Sequence, residues 1–433
     1  MTRFLLIGKE GMACSLAYRL ELEGEDVAMH IEDKDSKDHL LGMVQHIDGI
    51  KDALNWVGRT GYIIADGEQD MTQFRDAGYK VYGGNKFTQR LEVDRVFQSK
   101  TAQECGVPIP NFHEVKSVDE AIAYVKKHPD AWCLKQLGHA PKEFNYVGKD
   151  DSGEDVLLQL EWIKQHPLAN KMSQMMLQER VDGLEFAVGA FWLGSDWLRD
   201  DEGNIFVEYN REHKKMLNGD LGISTGEMGT LMKFGTNTKL LEMMLEPLTP
   251  VLLEKARDVV LNIDANCGVV SANEAWLYEW TPRMGYPAHT LQEQLLDMPV
   301  GQFYANIIDR RQGDLAYKDG WCVGTVIGCG DFPAESTEDN KHTYKGQPID
   351  AEWNENVMPE YVMHDAEKDV YRTADDYGWV STVCFVDENI AKANEQCVEA
   401  MKQIDVRAPV FRTDIGEKFE SEELPKLQKW DYL

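Results

Sequence analysis

Residues 212–229 read Glu212-His213-Lys214-Lys215-Met216-Leu217-Asn218-Gly219-Asp220-Leu221-Gly222-Ile223-Ser224-Thr225-Gly226-Glu227-Met228-Gly229. A basic triplet is followed by four glycines, a serine and a threonine within eleven residues. Glycine-rich backbone brings N–H groups close to phosphate oxygens, and a lysine beside it adds positive charge. A flexible surface loop accounts for the glycines but explains the triplet poorly. Upstream, Leu177-Gln178-Glu179-Arg180-Val181-Asp182-Gly183-Leu184-Glu185 is an apolar segment, a glycine turn and a carboxylate opening the next strand. Glu185 in that place can accept hydrogen bonds from ribose hydroxyls, and backbone at 179–181 can read an adenine edge. An ordinary hairpin with exposed charge is the alternative. Downstream, Glu279-Trp280-Thr281-Pro282-Arg283 ends a strand. A strand-end carboxylate suits Mg²⁺ beside a triphosphate. The planar fork of Arg283 suits a carboxylate or phosphate. A salt-bridged strand end is the plainer alternative.

The rest of the chain supplies the frame. Phe4-Leu5-Leu6-Ile7-Gly8 predicts a strand, Met12–Leu22 a helix and Val27–Ile31 a second strand. The glycines at 8 and 11 permit a tight turn and close approach of an anion, although this fragment alone is commonly just a strand–helix turn. Gly61–Asp66, a helix near 69–76 and Tyr79–Gly84 continue the alternation, which implies a parallel, doubly wound sheet. A helix is expected over 89–105, stopped by Pro108 and Pro110. A helix over Val118–Lys127 and a strand over Ala131–Lys135 follow. Lys135 ends an apolar strand and is followed by the polar turn Gln136-Leu137-Gly138-His139. It is either a phosphate ligand or a strand-end lysine reaching solvent, and taken alone the second is favoured. Segments 175–192 and 205–215 read as β-rich. A helix near 238–262 leads to a hairpin, 268–272 with 275–279, turning at Asn273-Glu274. Strands at 321–327 and 379–386 flank a polar stretch at 332–356, and a helix over 388–403 follows.

The chain has 433 residues, with 45 basic and 75 acidic, so its formal net charge is 45 − 75 = −30. Such a chain is a poor partner for a nucleic-acid backbone or an anionic lipid surface. It has no apolar run long enough to span a bilayer, and its N-terminus does not read as a signal peptide. Its eight cysteines form no C-x-x-C pair and are expected as reduced, buried thiols of a cytoplasmic protein.

The order of these features resembles the ATP-grasp ligases, and within them phosphoribosylamine–glycine ligase. Glu212-His213-Lys214-Lys215 with Gly219-Asp220-x-Gly222-x-x-Thr225-Gly226-x-Met228-Gly229 resembles D-H-K-R…G-D-x-G-x-N-T-G-G-M-G. Leu91-Glu92-Val93-Asp94-Arg95-Val96-Phe97 resembles L-E-x-S-K-x-F, with Arg95 in place of a nucleotide-contacting lysine. Arg75–Gly83 resembles the end of the family's first domain. Phe411-Arg412-Thr413-Asp414-Ile415-Gly416 resembles Y-R-x-D-I-G.

The resemblance implies an α/β protein with α+β lobes. A Rossmann-like pre-ATP-grasp domain is expected at 1–88, and a two-lobed ATP-grasp domain at 89–316, with its lid at about 112–186. A small C-terminal α/β domain is expected at 317–433. The implied reaction activates a carboxylate as an acyl phosphate, which an amine attacks. In the family these are glycine and phosphoribosylamine. The implied cofactors are ATP and Mg²⁺ or Mn²⁺. Nucleotide contacts fall on Arg95, Lys135, Glu179, Arg180, Val181, Glu185, Lys214, Thr225, Gly226 and Gly229. Metal falls on Glu279 and Thr281, and catalysis on Arg283, Lys214 and His213. The partners implied are small molecules, an amino acid or other carboxylate and a phosphorylated amine, acting on a monomer or homodimer. Departures cluster on the substrate side. Thr281 replaces the metal-ligating Asn, Tyr286 and Ala288 replace the acids of G-D-P-E, and Glu227 replaces a glycine. A ligase of the same build with another carboxylate and amine, as in nucleotide or DNA-base modification, is one alternative. A non-catalytic nucleotide-binding relative is the other.

Overall fold

The computed structural model describes residues 1–137, 144–167, 175–333 and 344–433. Gly138 and His139 of the expected polar turn, and 334–343 of the expected polar stretch, lie outside the described residues. Strands β1 (Arg3–Gly8), β2 (Asp26–Ile31), β3 (Gln45–His46), β4 (Tyr62–Ala65) and β5 (Lys80–Tyr82) form a sheet in the order β3-β2-β1-β4-β5. All its pairs are parallel. Phe4, Leu5, Leu6 and Ile7 of the central strand are all buried, as a strand covered on both faces requires. Strand order reverses at β1, which opens a crevice beyond Gly8.

The turn after β1 already holds an anion belonging to the chain. The Met12 N–H donates to Asp66 Oδ2 at 2.8 Å. A Cβ on Gly8 would fall 1.7 Å from the same oxygen. Asp66 is buried, and burial pushes its pKa up to about 6. The external anion allowed by the glycines is therefore replaced by an internal one.

A second sheet contains β6 (Phe112–Val115), β7 (Trp132–Gln136), β8 (Tyr146–Val147) and β9 (Met175–Glu179) in the order β6-β9-β7-β8. Helices Val118–Lys127 and Glu154–Gln165 pack on it around Trp132, Leu134, Leu160, Ile163 and Leu177. The first helix begins where the Ser117 side chain accepts from the Glu120 N–H, with acids in its first turn and lysines in its last, a charge order that complements the helix dipole.

The largest sheet draws on β10 (Leu184–Trp192), β11 (Val207–Glu212), β14 (Gly229–Gly235), β15 (Leu261–Ser271), β16 (Glu274–Thr281) and β17 (Trp321–Cys329). Between β11 and β14 lies a small hairpin, β12 (Lys215–Leu217) and β13 (Leu221–Ser224). Beyond β17 come β18 (Pro348–Ile349), β19 (Val357–Pro359), β20 (Val362–Asp365), β21 (Val370–Thr373), β22 (Trp379–Asp387) and β23 (Pro409–Val410). The order is β16-β15-β10-β11-β14-β17-β22-β19, with β23 also on β17. One sheet thus passes residue 317 without interruption, and helix Ile390–Met401 packs on β17 and β22. No helix among the described residues is long and apolar enough to cross a membrane. All eight cysteines are unpaired, six of them buried, as expected.

Four local expectations are corrected. The helix over 89–105 is two helices, Lys86–Val93 and Arg95–Glu104. Asp94 leaves helical geometry, and its side chain accepts from the Phe97 N–H to start the second. The helix over 238–262 is two short helices, Lys239–Met244 and Thr249–Lys255, and the chain is already β15 by Leu261. Pro247 and Pro250 divide that stretch, since proline belongs at a helix start rather than its interior. The hairpin turns at Ala272-Asn273, because Ser271 pairs with Glu274. The glycine-rich loop folds as β12 and β13 around Gly219 and Asp220, both at positive φ.

Candidate active site

Period-two alternation builds the floor. Glu208, Asn210 and Glu212 share one face of β11, and Asn262, Asp264 and Asn266 share one face of β15. Between them, β10 places Gly189 beside Glu208 and Asp264, and Ala187 beside Asn210 and Asn266. Beyond β15, Asp264 pairs with Thr281 and Asn266 with Glu279. The small residues of β10 leave a trough lined by carboxylates and amides. Asn210 Nδ2 donates to Asp264 Oδ1 at 3.2 Å, and Asn262 Nδ2 to Glu208 Oε1 at 3.3 Å. Burial raises the proton affinity of Glu208, and burial with Glu208 and Glu212 nearby raises that of Asp264.

Charged groups from five elements meet over this floor. Lys214 Nζ lies 2.9 Å from Glu212 Oε2, 3.2 Å from Glu185 Oε1 and 3.8 Å from Glu279 Oε1. The helix break at Asp94 delivers Arg95, whose Nη2 is 2.5 Å from Glu279 Oε2. Arg95, against the cost of burial and with help from Lys214, Lys135 and Arg283, holds the Glu279 carboxyl down at about 2. Burial opposes the charge on Lys214, but Glu212, Glu185 and Glu279 outweigh it and raise its pKa. Burial likewise opposes the Glu185 charge, and Lys214 with Arg211 outweighs it. Burial lowers the pKa of Lys135, and the facing Glu279 works against that fall. Arg283 donates from Nε to Glu92 Oε1 at 3.2 Å and from Nη1 to the Met284 carbonyl at 2.7 Å.

Other expected site residues have supporting positions. The Glu179 and Arg180 N–H groups donate to the Asn111 and Ala131 carbonyls, and the Val181 carbonyl accepts from Tyr278 Oη at 3.0 Å. These bonds fix the link between the smaller and larger sheets. His213 is buried, and burial with Arg211 and Arg412 nearby pushes its pKa down to about 4. It faces the 412–416 segment and does not line the cavity, so the catalytic expectation for His213 is not carried forward. Gly229 pairs with Thr325, and a Cβ there would meet the Gly324 carbonyl at 2.6 Å, which explains that glycine by strand packing. Thr225 is tied through its N–H and Oγ1 to the Lys214 carbonyl. Arg412, wholly buried, joins Asp220, Asp414 and the Lys215 carbonyl. The C-terminal Arg-x-Asp motif therefore anchors the glycine-rich hairpin.

Lys214, Gly226, Glu227, Glu279, Thr281 and Arg283 are among the residues lining a cavity of about 800 Å³. Glu10, Asp33, Asp35, Asp375 and Asp376 line other parts of its wall. Among the described residues no three His, Cys, Asp or Glu side chains are gathered closely enough to hold a metal. Arg95 and Lys214 occupy the Glu279 carboxylate instead. The donor set is still all hard oxygen: Glu279, Thr281 and Asp264 across the ladder, beside unpartnered Asn210 Oδ1 and Asn266 Oδ1. That set fits Mg²⁺. Glu208, Asn210, Glu212, Asn262, Asp264 and Asn266 were missed in the sequence. Their signal is a polar residue at every second position of two otherwise apolar strands.

Residues 93–260 match the family model of the phosphoribosylglycinamide synthetase ATP-grasp (A) domain. The phosphoribosylamine–glycine ligase of Streptococcus pneumoniae serotype 4 is 20% identical over 352 residues, 80% of each chain. That of Fusobacterium nucleatum is 23% identical over 367 residues, 82% of this chain and 81% of the relative. The crystal structure of the Thermotoga maritima phosphoribosylamine–glycine ligase superposes with a TM-score of 0.73 at 17% identity, over 96% of this chain and all of that one. The biotin carboxylase domain of the Hydrogenobacter thermophilus 2-oxoglutarate carboxylase, in complex with MgADP, gives 0.63 at 11% identity, over 97% and 98% of the chains. The chain has the ATP-grasp fold, and it resembles the phosphoribosylamine–glycine ligases.

Proposed function

We propose that the protein is an ATP-dependent, ADP-forming ligase joining a carboxylate to an amine through an acyl phosphate. Glycine and phosphoribosylamine, the pair in the names of its relatives, are the substrates that reading puts first. The observation that carries it is the meeting of Arg95, Lys135 and Lys214 on Glu279, with Arg283 in the same cavity. A carboxylate is a poor electrophile and needs activation. Lys135, Lys214 and Arg95 offset charge on the transferring phosphoryl group. Glu185 accepts from ribose hydroxyls, and the 179–181 link borders the adenine. Glu279, with Asp264 and Thr281, would hold Mg²⁺, which when bound shields the phosphate oxygens and polarises the transferring group. Arg283 would hold the substrate carboxylate that receives the phosphoryl group. The amine then attacks the acyl carbon, and phosphate leaves.

A second reading keeps this chemistry and changes the amine. The acidic wall of Glu10, Asp33, Asp35, Asp375 and Asp376, with Asp66 filling the β1 turn, favours a cationic amine lacking phosphate. One experiment separates them: ADP and phosphate release from MgATP and glycine, with fresh phosphoribosylamine or with a diamine. Release that needs phosphoribosylamine, with a product of the right mass, supports the first. Release only with the diamine supports the second. No release with either, and no hydroxamate when hydroxylamine is the nucleophile, removes the ligase reading.

A further inference from the structure

Glu227 follows Gly226 in the glycine-rich segment, and no part of the nucleotide chemistry above uses it. The hairpin holds its backbone at the cavity. On one side Thr225 donates to the Lys214 carbonyl at 2.8 Å. On the other Met228 donates to the His213 carbonyl at 2.8 Å, and its own carbonyl accepts from Val326 at 3.0 Å. Met228 is fully buried. Two fixed neighbours leave the Glu227 side chain directed into the space lined by Lys214 and Arg283. Its Oε1 is buried and has no hydrogen-bond partner. The charged groups facing it are Glu212 and Lys214 from the β11 end, Asp264 from β15 and Arg283 beyond β16. A buried carboxyl oxygen without a donor is costly, and an amine N–H is the donor the ligase reading brings to this place.

We infer that Glu227 is a catalytic residue, the general base that takes the proton from the attacking amine. The inference rests on the ligase reading. Arg283 and Glu227 line the same cavity, so a nucleophile attacking a carboxylate held by Arg283 comes within reach of Glu227. The amine arrives as an ammonium, and one N–H proton passes to the Glu227 carboxylate. The freed lone pair forms the C–N bond as the acyl C–O bond to phosphorus breaks. The leaving phosphate takes a second N–H proton, giving amide, hydrogen phosphate and protonated Glu227. Burial, with Glu212 and Asp264 nearby, raises the proton affinity of Glu227.

The test uses the full chain with MgATP and glycine, and two nucleophiles. Hydroxylamine attacks acyl phosphates without a protein base, so hydroxamate formation reports activation alone. Amide formation with phosphoribosylamine, or with the diamine if that is the substrate found, reports the complete reaction. In Glu227→Gln, kcat for the amide is expected to fall by about 10²- to 10⁴-fold, with hydroxamate formation nearly unchanged. The acid limb of the kcat–pH profile is expected to vanish. Glu227→Gly opens space beside Gly226, and added formate is expected to restore part of its amide formation. Undiminished amide formation in Glu227→Gln, or an equal fall in both products, overturns the inference while the ligase reading stands. Absence of hydroxamate from the unmodified protein overturns both.

Discussion

Replacing Glu279 by Gln removes the carboxylate on which four cations act. Arg95, against burial and with Lys214, Lys135 and Arg283, lowers its pKa from the ordinary 4.5 to about 2. Each pKa unit is about 1.4 kcal/mol, so this charge stabilises the empty protein by about 3 kcal/mol at pH 7. The side chain is 26% exposed, so solvent screens it only in part. The sign follows from the lowered pKa. The contribution is complete above the unfolded value of 4.5 and is lost as pH falls through about 2. At pH 3 about 1.4 kcal/mol should remain. Urea unfolding of Glu279→Gln and the unmodified chain, at pH 7 and pH 3, measures both quantities. Far-UV circular dichroism should be unchanged and ATP turnover abolished. Equal unfolding midpoints at pH 7 would refute the electrostatic argument, and full turnover would refute the metal and phosphate assignment.

Arg283→Ala should raise the KM for the carboxylate by about 10- to 100-fold, the worth of a charge-assisted pair; a KM left in place would show that the carboxylate binds elsewhere. Arg412→Ala breaks a buried ionic network and should cost about 3 kcal/mol. Its local sign is faster chymotrypsin cleavage at Leu217 and Leu221, and an unaltered digestion rate would mean the hairpin holds without it. Gly189→Ala puts a methyl 2.3 Å from Glu208 Oε1. It should lower stability by about 1–3 kcal/mol, and an unmoved denaturation midpoint would show that Glu208 can swing away freely.

The parts of the fold legible in the sequence are those with local signals. Phe4–Ile7, Tyr62–Ala65 and Lys80–Tyr82 show the repeat of a parallel sheet. The helix over Val118–Lys127 carries its own cap and charge order. Misread segments had two admissible patterns. Val259-Val260-Leu261 fits a helix face as well as a strand, and only pairing of Leu261 with Trp192 decides it. Asp94 lies inside the run expected as one helix, yet it is the cap that starts a second helix at Arg95 and brings Arg95 to Glu279. The site divides similarly. Lys214, Glu279 and Arg283 were found through motif order, but their meeting depends on which strands lie side by side, which spacing along one chain does not specify. His213 sits within a basic triplet and is expected at the catalytic centre, whereas the structure buries it against the 412–416 segment.

The face of β10, β11 and β15 beneath the cavity is the opposite of what stability alone would select. On the far face Phe186, Val188, Val207, Tyr209, Ile263 and Ala265 are all buried and apolar. On the near face Glu208, Asn210, Asn262 and Asn266 are each no more than 3% exposed, and two amide oxygens there lack partners. An unpaired buried acceptor costs about 1–3 kcal/mol, so this pair costs about 2–6 kcal/mol of a total stability of about 5–15 kcal/mol. Apolar residues at those positions would recover that energy without changing the strands. A register slip of one residue would drive Asp264 into the core and Ile263 into the cavity. Alternation therefore fixes pairing and site chemistry together.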